Sequence, residues 1–374
     1  MDNKIEYLKD ELRVFVADIV PYGEARDENL EDRMEELENL VSTYGGIVIV
    51  KTFQKRMTPD YNTYIGGGKL DEIIEDMRRE KADILIIGNI LKAKQIYNIN
   101  EKLRDIDAKA WDRVDLILKI FERHAKSTEA RLQIELAAIR HMGPRIFGMG
   151  MELSRQGGGI GTSGIGETNT EIMKRHLRKK IDVIKKKLNQ YKKTRAEHRK
   201  ARIRKNLDTV GIVGYTNAGK SSLLNSITKK GVLAEDKLFA TLGTDVGKMY
   251  IPSDTGKGKE ILLNDTIGFI RDLPPDLIEA FSSTLEDSIE SKILLHVIDA
   301  SDKKLDEKIK IVDDILFQIG ATQDKIYVFN KIDLLDKEQL NILKEKYFDL
   351  NPVFVSAYSK TGFDKLTDII LKKL

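Results

Sequence analysis

From the N-terminus to Arg104, short β-branched apolar runs alternate with amphipathic stretches. Arg13–Val20, Gly46–Phe53 and Ala82–Gly88 have the length and side chains of strands. Leu30–Tyr44, Leu70–Lys81 and Ala93–Arg104 repeat their apolar positions at helical spacing. Strand–helix alternation of this kind predicts a small parallel α/β domain with right-handed crossovers, bounded at 1–110. Inside it, Ile65-Gly66-Gly67-Gly68-Lys69 looks like a phosphate loop. It lacks the four-residue spacer and the Ser/Thr after the lysine, so it predicts a tight turn leading into a helix.

From Asp112 to His141 the period becomes helical, carried by Val114, Ile117, Leu118, Phe121, Leu132, Leu136 and Ile139, and Pro144 is expected to end it. Residues 143–167 hold nine glycines. Glycine loses the most backbone entropy on ordering, so this stretch predicts a long flexible loop. A second helical stretch runs unbroken from Thr168 to Lys205. Its apolar positions Leu177, Ile181, Ile184, Leu188 and Tyr191 are spaced 4-3-4-3, the seam of a coiled coil. Two helices around a glycine-rich tip predict a long antiparallel helical hairpin over 111–206. After Asp208 the α/β alternation returns, from the strand Thr209–Val213 to a helix at Asp364–Leu374, giving a second α/β domain at 207–374.

Charge sharpens this division. Between Lys174 and Lys205 there are sixteen Lys/Arg against two acids, while the whole chain of 374 residues carries a formal +3. Like charges at i,i+4 destabilise an isolated helix, so an anionic partner is expected to compensate them. A nucleic acid contacted through its phosphates is favoured over a merely solvated face. With no cysteine, disulfides and thiolate metal sites are excluded. The five histidines form no ligand pair at helical or zinc spacing. No apolar run approaches a membrane span and the N-terminus is no signal peptide, so a cytoplasmic chain is expected, with no membrane partner.

The strongest chemistry lies in the second α/β domain. Strand Val210–Val213 runs into Gly214-Tyr215-Thr216-Asn217-Ala218-Gly219-Lys220-Ser221, and a helix follows from Ser222. A phosphate loop needs this strand before and helix after it, because glycines let backbone amides turn inward and the helix start adds its positive end. Lys220 supplies a point charge to the β- and γ-phosphates and Ser221 a Mg²⁺ ligand. Asp265-Thr266-Ile267-Gly268 follows a strand about 45 residues later; Asp265 is expected to hold Mg²⁺ through water, and the Gly268 amide to reach the γ-phosphate. Asn330-Lys331-Ile332-Asp333 and Ser356-Ala357 define the base. The Asp333 carboxylate accepts two donors that guanine has and adenine lacks, a difference worth several kcal/mol. Lys331 is expected to cover the ring, Asn330 to tie loops together, and the Ala357 amide to meet guanine O6. Phe239-Ala240-Thr241-Leu242-Gly243-Thr244 occupies the first switch; either threonine could serve Mg²⁺, and Thr241 is preferred because Phe-x-Thr resembles Obg-like GTPases. Lys220, Thr241 and Gly268 are therefore the expected catalytic residues. Phe269 stands where Ras-like enzymes carry the glutamine that orients water, which predicts slow intrinsic hydrolysis. Asn217 resembles GTPases that add potassium at the phosphates.

These motifs together resemble the HflX family of translation-associated GTPases. The resemblance rests on GYTNAGKSSLLN at 214–225, FATL at 239–242, DTIGFIRDLP at 265–274 and LLHVIDAS at 294–301. It extends to AWDRVDLILKIFERHAKSTEARLQIELA at 110–137 and GIGETNTE at 164–171. It implies an N-terminal α/β domain with a helical hairpin, a Ras-like P-loop GTPase domain, GTP/GDP and Mg²⁺ as ligands, and a monomer that binds the large ribosomal subunit and its rRNA to dissociate or rescue ribosomes. It also makes Phe269 usual for the family. Met173-Lys174-Arg175 stands where relatives often show Asp-Arg-Arg. The sequence stops at Leu374, so contacts that bacterial members make through an extra C-terminal domain do not carry over. The alternatives are a GTPase acting in ribosome assembly or on another RNA, and a signalling switch binding an acidic protein or lipid.

Overall fold

A computed structural model describes residues 12–20, 27–125, 127–156, 163–204, 207–228, 239, 245–251, 259–274, 277–278, 285–286 and 289–374. The chain divides into two compact units, Met1–Arg123 with Ile134–Lys185, and His124–Gln133 with Lys186–Leu374.

The first unit alternates β1 (Leu12–Val20), α1 (Asp27–Tyr44), β2 (Gly46–Lys55), α2 (Gly67–Glu80), β3 (Ile84–Ile87), α3 (Ala93–Leu103), β4 (Lys109–Asp112) and α4 (Arg113–His124). Its sheet is parallel throughout, in the order β2-β1-β3-β4. The central strands are buried on both faces, as covered parallel strands must be. Phe15, Ala17, Leu85 and Ile87 cluster with Leu70, Ile73 and Met77 of α2 and Ile96, Ile99 and Leu103 of α3, while Val14, Val16, Ile84 and Ile86 are buried on the other side. The glycine run at 66–68 is a turn into α2, with Gly66 at the helix cap, as the missing spacer predicted. β4 has no counterpart in the sequence reading, which begins a helix at Asp112. Its four residues are too few for a period to show.

The expected single helix over 112–141 is two. α4 ends at His124 and α5 (Thr128–Gln156) begins after Ser127, whose hydroxyl accepts the Ala130 amide at 3.1 Å. The expected stop at Pro144 is corrected, and so is the flexible loop over 143–156 and 163–167, since α5 continues through Pro144 to Gln156 and α6 (Ser163–Arg204) begins within the glycine-rich stretch; residues 157–162 lie outside the described residues. Pro144 cannot give an amide to the preceding turn, a cost of about 3 kcal/mol. Tertiary contacts offset it one residue later. Arg145 is 4% exposed, with its guanidinium donating to Asp112 and, at 2.7 Å, to Asp115. His141 Nε2 joins the same pair of carboxylates at 3.2 and 3.3 Å. Burial alone disfavours the imidazolium, but the two carboxylates outweigh it and raise the His141 pKa to about 9. The donor atoms of Asp112, Asp115 and His141 gather within 4.8 Å, and the Arg145 guanidinium supplies their cation.

Along α6 the coiled-coil seam is visible in the burial pattern. Leu177, Ile181, Ile184, Leu188 and Tyr191 are withdrawn from solvent, and the same spacing extends to Lys174 and Arg195. Within the first unit Lys180 reaches Glu135 of α5 at 2.6 Å. Within the second, Arg195 pairs with Glu129 of α5 and, at 2.9 Å, with Glu286. Among the described residues no helix is long and apolar enough to cross a membrane.

The second unit continues with β5 (Asp208–Gly214), α7 (Lys220–Thr228), β6 (Asp245–Ile251), β7 (Lys259–Asp265), β8 (Ile293–Asp299), α8 (Leu305–Gln318), β9 (Asp324–Asn330), α9 (Lys337–Lys346), β10 (Val353–Phe354) and α10 (Phe363–Lys373). The sheet order is β10-β9-β8-β5-β7-β6, parallel except for β6 at the edge. Val210, Ile212, Leu263, Leu295, Val297 and Val328 form its core with Leu223 and Leu224 of α7 and Leu366 and Ile370 of α10. β5 lies between β7 and β8, so successive connections leave it in opposite directions. The crevice at its carboxyl end is where an open α/β sheet binds ligands, and β5 ends at Gly214.

Candidate functional site

Four segments meet at that carboxyl edge, each set there by the strand before it. The first is 214–221. Gly214 has φ +156°, and a Cβ there would stand 2.3 Å from the Val297 carbonyl oxygen on β8. Gly219, at φ +87°, leaves its would-be Cβ 2.3 Å from Asn330 Nδ2. Both positions require glycine, as a loop that turns its amides inward does. Asn217 is the exposed tip of the loop, with φ +61°. Lys220 opens α7 and is 6% exposed, its Nζ donating to the Tyr215 carbonyl at 2.9 Å. Burial lowers its pKa to about 8, with the Asp265 carboxylate acting in the opposite direction. Ser221 Oγ donates to Asp265 Oδ2 at 2.6 Å, and Ser222 follows in the first turn of α7.

Asp265 ends β7 and is fully buried. The chain then turns across the phosphate loop. Thr266 Oγ1 donates to the Ile212 carbonyl at 2.8 Å. The Phe269 amide donates to the Gly214 carbonyl at 3.1 Å, and the Thr216 amide to the Phe269 carbonyl at 2.7 Å. Gly268 lies between these bonds. A Cβ on it would meet Thr216 Cγ2 at 2.8 Å and Lys220 Nζ at 2.9 Å, so no side chain fits. The Phe269 ring is 1% exposed and offers no hydrogen bond. Its contribution is through its backbone, which pins the first half of the loop.

The other end of the crevice is tied by Asn330. Its Nδ2 donates to the Ala218 carbonyl at 3.0 Å and its Oδ1 accepts the Ala357 amide at 3.0 Å. One buried amide thus joins the phosphate loop to the 356–357 loop, the tie that the sequence predicts for it. Lys331 takes φ +64° and pairs with Asp299 Oδ2 at 2.7 Å. Asp333 lies at an exposed position, one oxygen accepting Ser356 Oγ at 2.5 Å. Ser226 of α7 donates to the Ala357 carbonyl at 2.8 Å, adding a second tie.

The structure therefore brings together Gly214 through Ser222, Asp265, Gly268, Asn330, Lys331, Asp333, Ser356 and Ala357. Phe239 is described and 3% exposed. Thr241, together with Thr244, lies outside the described residues. One participant, Asp299, is missed by motif reading, and one predicted loop residue, Tyr215, makes a bond that the motif does not foretell. Asp299 ends β8 and pairs with Lys331, a role signalled only by an acid at a strand's carboxyl end. The Tyr215 hydroxyl accepts the Arg271 amide at 3.0 Å, which no spacing rule reveals.

Known proteins are similar to this chain along most of its length. Residues 31–122, 124–202 and 209–331 match family models described as GTP-binding GTPase N-terminal, GTP-binding GTPase middle region and 50S ribosome-binding GTPase. The chain is 41% identical over 370 residues to a GTPase HflX of Caldanaerobacter subterraneus subsp. tengcongensis, covering 99% of this chain and 82% of that one. To GTPase HflX of Escherichia coli (strain K12) it is 37% identical over 350 residues, covering 93% and 80%. To that of Methanocaldococcus jannaschii it is 37% identical over 329 residues, covering 87% and 79%. Among solved structures it is similar to an SsGBP and GDP complex, with TM-score 0.53 and 27% identity over 96% of this chain and 98% of that one.

Proposed function

The chain belongs to the HflX family of GTPases, and from that membership we propose that it is a Mg²⁺-dependent switch that acts on ribosomes, through the large subunit and its rRNA, to dissociate or rescue them. GTP hydrolysis is the family's activity. The assignment of roles and of the partner is our own.

In this reading the loop 214–221 wraps the diphosphate and Lys220 places its ammonium on the β- and γ-phosphates. The residues present fit Mg²⁺, because a hydroxyl and a buried carboxylate already touch between Ser221 and Asp265 at the start of a helix. Ser221, Asp265 through water, and Thr241 would hold the ion, which neutralises charge on the β- and γ-oxygens. Asp333 selects guanine, Ala357 gives its amide to the base, and Lys331, steered by Asp299, lies along the ring. The Gly268 amide meets the terminal phosphate. The buried phenyl at 269 cannot orient water, so intrinsic hydrolysis is slow and a partner accelerates it. Loss of the terminal phosphate releases the switches. Asn217, exposed at the loop tip, suits a potassium ion at the phosphates.

What supports the ribosomal target is the surface of α6. One stripe of its side chains is withdrawn from solvent, and among the described residues its Lys and Arg otherwise stand exposed over many turns. A narrow seam of this kind leaves no broad apolar face for a lipid surface. A long cationic helix fits a phosphate backbone. The matched model's description as a 50S ribosome-binding GTPase points the same way. Co-sedimentation with purified subunits tests the proposal: pelleting with the large subunit is expected with a non-hydrolysable GTP analogue and not with GDP. Replacing Lys185, Lys186 and Lys187 by Gln is expected to weaken pelleting and flatten its salt dependence without changing GTP affinity. Equal pelleting in both nucleotide states would remove the switch from the proposal.

A further inference from the structure

Within the phosphate loop one polar atom has no work to do in the fold. Thr216 is 7% exposed, and its Oγ1 is enclosed without a hydrogen-bond partner among the described residues. Burying a hydroxyl without a partner is unfavourable, and folded proteins leave very few in that state. The backbone gives Thr216 no freedom to turn away. Its amide is held by the Phe269 carbonyl at 2.7 Å, and Tyr215 bridges Phe269 as a short parallel ladder. The Cγ2 and Cα of Thr216 lie against Gly268, where Lys220 also converges, and the hydroxyl shares the Cβ that carries that methyl. A Cβ built on Gly268 would lie 2.8 Å from Thr216 Cγ2, 2.9 Å from Thr216 Cα and 2.9 Å from Lys220 Nζ. In the proposed nucleotide site, Gly268 and Lys220 are the groups that attend the terminal phosphate. The neighbouring side chain at 269 is a phenyl and supplies nothing polar there.

We propose that the Thr216 hydroxyl donates a hydrogen bond to the terminal phosphoryl group of GTP, so that the phosphate loop itself distinguishes triphosphate from diphosphate. The proposal rests on the nucleotide site described above and is independent of any ribosomal role. A charged oxygen repays the orphaned hydroxyl only when the third phosphate is present. GDP, which ends short of Gly268, leaves it unpaired.

Equilibrium binding tests this without relying on turnover. Affinities for GDP, for a non-hydrolysable GTP analogue and for GDP with aluminium fluoride are measured by calorimetry on the full chain, its Thr216→Val variant and its Thr216→Ser variant. Valine keeps the shape and removes the hydroxyl. A hydrogen bond to a charged group is worth about tenfold or more in affinity. Thr216→Val is therefore expected to lose about tenfold toward the analogue and the fluoride complex with GDP affinity unchanged, and Thr216→Ser to retain the wild-type ratio. An unchanged analogue-to-GDP ratio in Thr216→Val overturns the proposal. So does an equal loss toward all three ligands, which would mean that the side chain only packs the loop. If the unaltered chain bound neither GDP nor the analogue, the site itself would be wrong, a failure distinct from the first two.

Discussion

Asn330 offers the sharpest perturbation of the site, because it makes two bonds to two different loops. Its amide is 1% exposed, gives one hydrogen to Ala218 and takes one from Ala357, both at 3.0 Å. A Cβ on residue 219 would stand 2.3 Å from Nδ2, so only a glycine there leaves the amide its place. In Asn330→Asp the shape is kept, and so is the acceptor for Ala357. The donor to Ala218 becomes a second carboxylate oxygen facing a carbonyl oxygen. The loss of the neutral bond is worth about 1 kcal/mol, and the unpaired carbonyl opposite a buried charge raises the total to about 2–4 kcal/mol. The phosphate loop and the guanine loop then separate unless nucleotide binding energy holds them together. GDP affinity is expected to fall by up to roughly 30- to 1,000-fold, at about 1.4 kcal/mol per tenfold. Titration of a fluorescent GDP measures it. The single tryptophan, Trp111, lies in the first unit, and its unchanged emission controls for the folding of that unit. GDP affinity within threefold of the unaltered chain would refute the argument that this amide holds the crevice in shape.

Three further outcomes follow from the same geometry. Asp333→Asn is expected to exchange guanine for xanthine preference, seen in competition between XDP and GDP, because an amide donor suits the 2-oxo group; unaltered preference would move base selection elsewhere. Lys220, lowered to about 8 by burial against the counter-pull of Asp265, loses its proton above that pH, whereas bound phosphates favour the ammonium. GDP binding at pH 9 is therefore expected to take up a proton and weaken with rising pH, measured by calorimetry in two buffers of different ionisation enthalpy; zero uptake would contradict the assignment. His141, facing Asp112, Asp115 and Arg145, is raised from 6.5 to about 9 against its own desolvation. Its stabilisation is complete below pH 6.5 and is lost as pH rises through 9, so the thermal midpoint followed by Trp111 is expected to fall across that window and His141→Gln to flatten the slope. A midpoint rising over the same range would be incompatible with a protonated ring.

The nucleotide site was legible because its chemistry is local in sequence. A glycine-flanked loop must follow a strand and open a helix, and 214–221 does; the amide of Asn330 and the carboxylate of Asp333 need only a strand to deliver them. The same is true of the alternating elements before Arg104, where the strand and helix periods are long enough to be counted. β4 escaped because four residues show no period. The reading of 143–167 failed for a different reason. Backbone entropy and a proline both argue for a stop, and both are local costs. The buried Arg145, gripped by Asp112 and Asp115 from thirty residues away, is a distant compensation.

The sequence by itself determined where most helices and strands repeat, which loop has the strand-before, helix-after form of a phosphate loop, which carboxylate is proposed to face a purine, and which helix carries the positive charge. Each of those depends on neighbours within a few residues. Tertiary structure alone decided that Phe269 acts through its backbone, that Asp299 pairs with Lys331, that helix α5 survives its proline, and that the Thr216 side chain stands buried with its hydroxyl unpaired and its methyl against Gly268. These depend on atoms that meet only after the sheets close. Desolvation sets their energies, and no spacing along the chain records it.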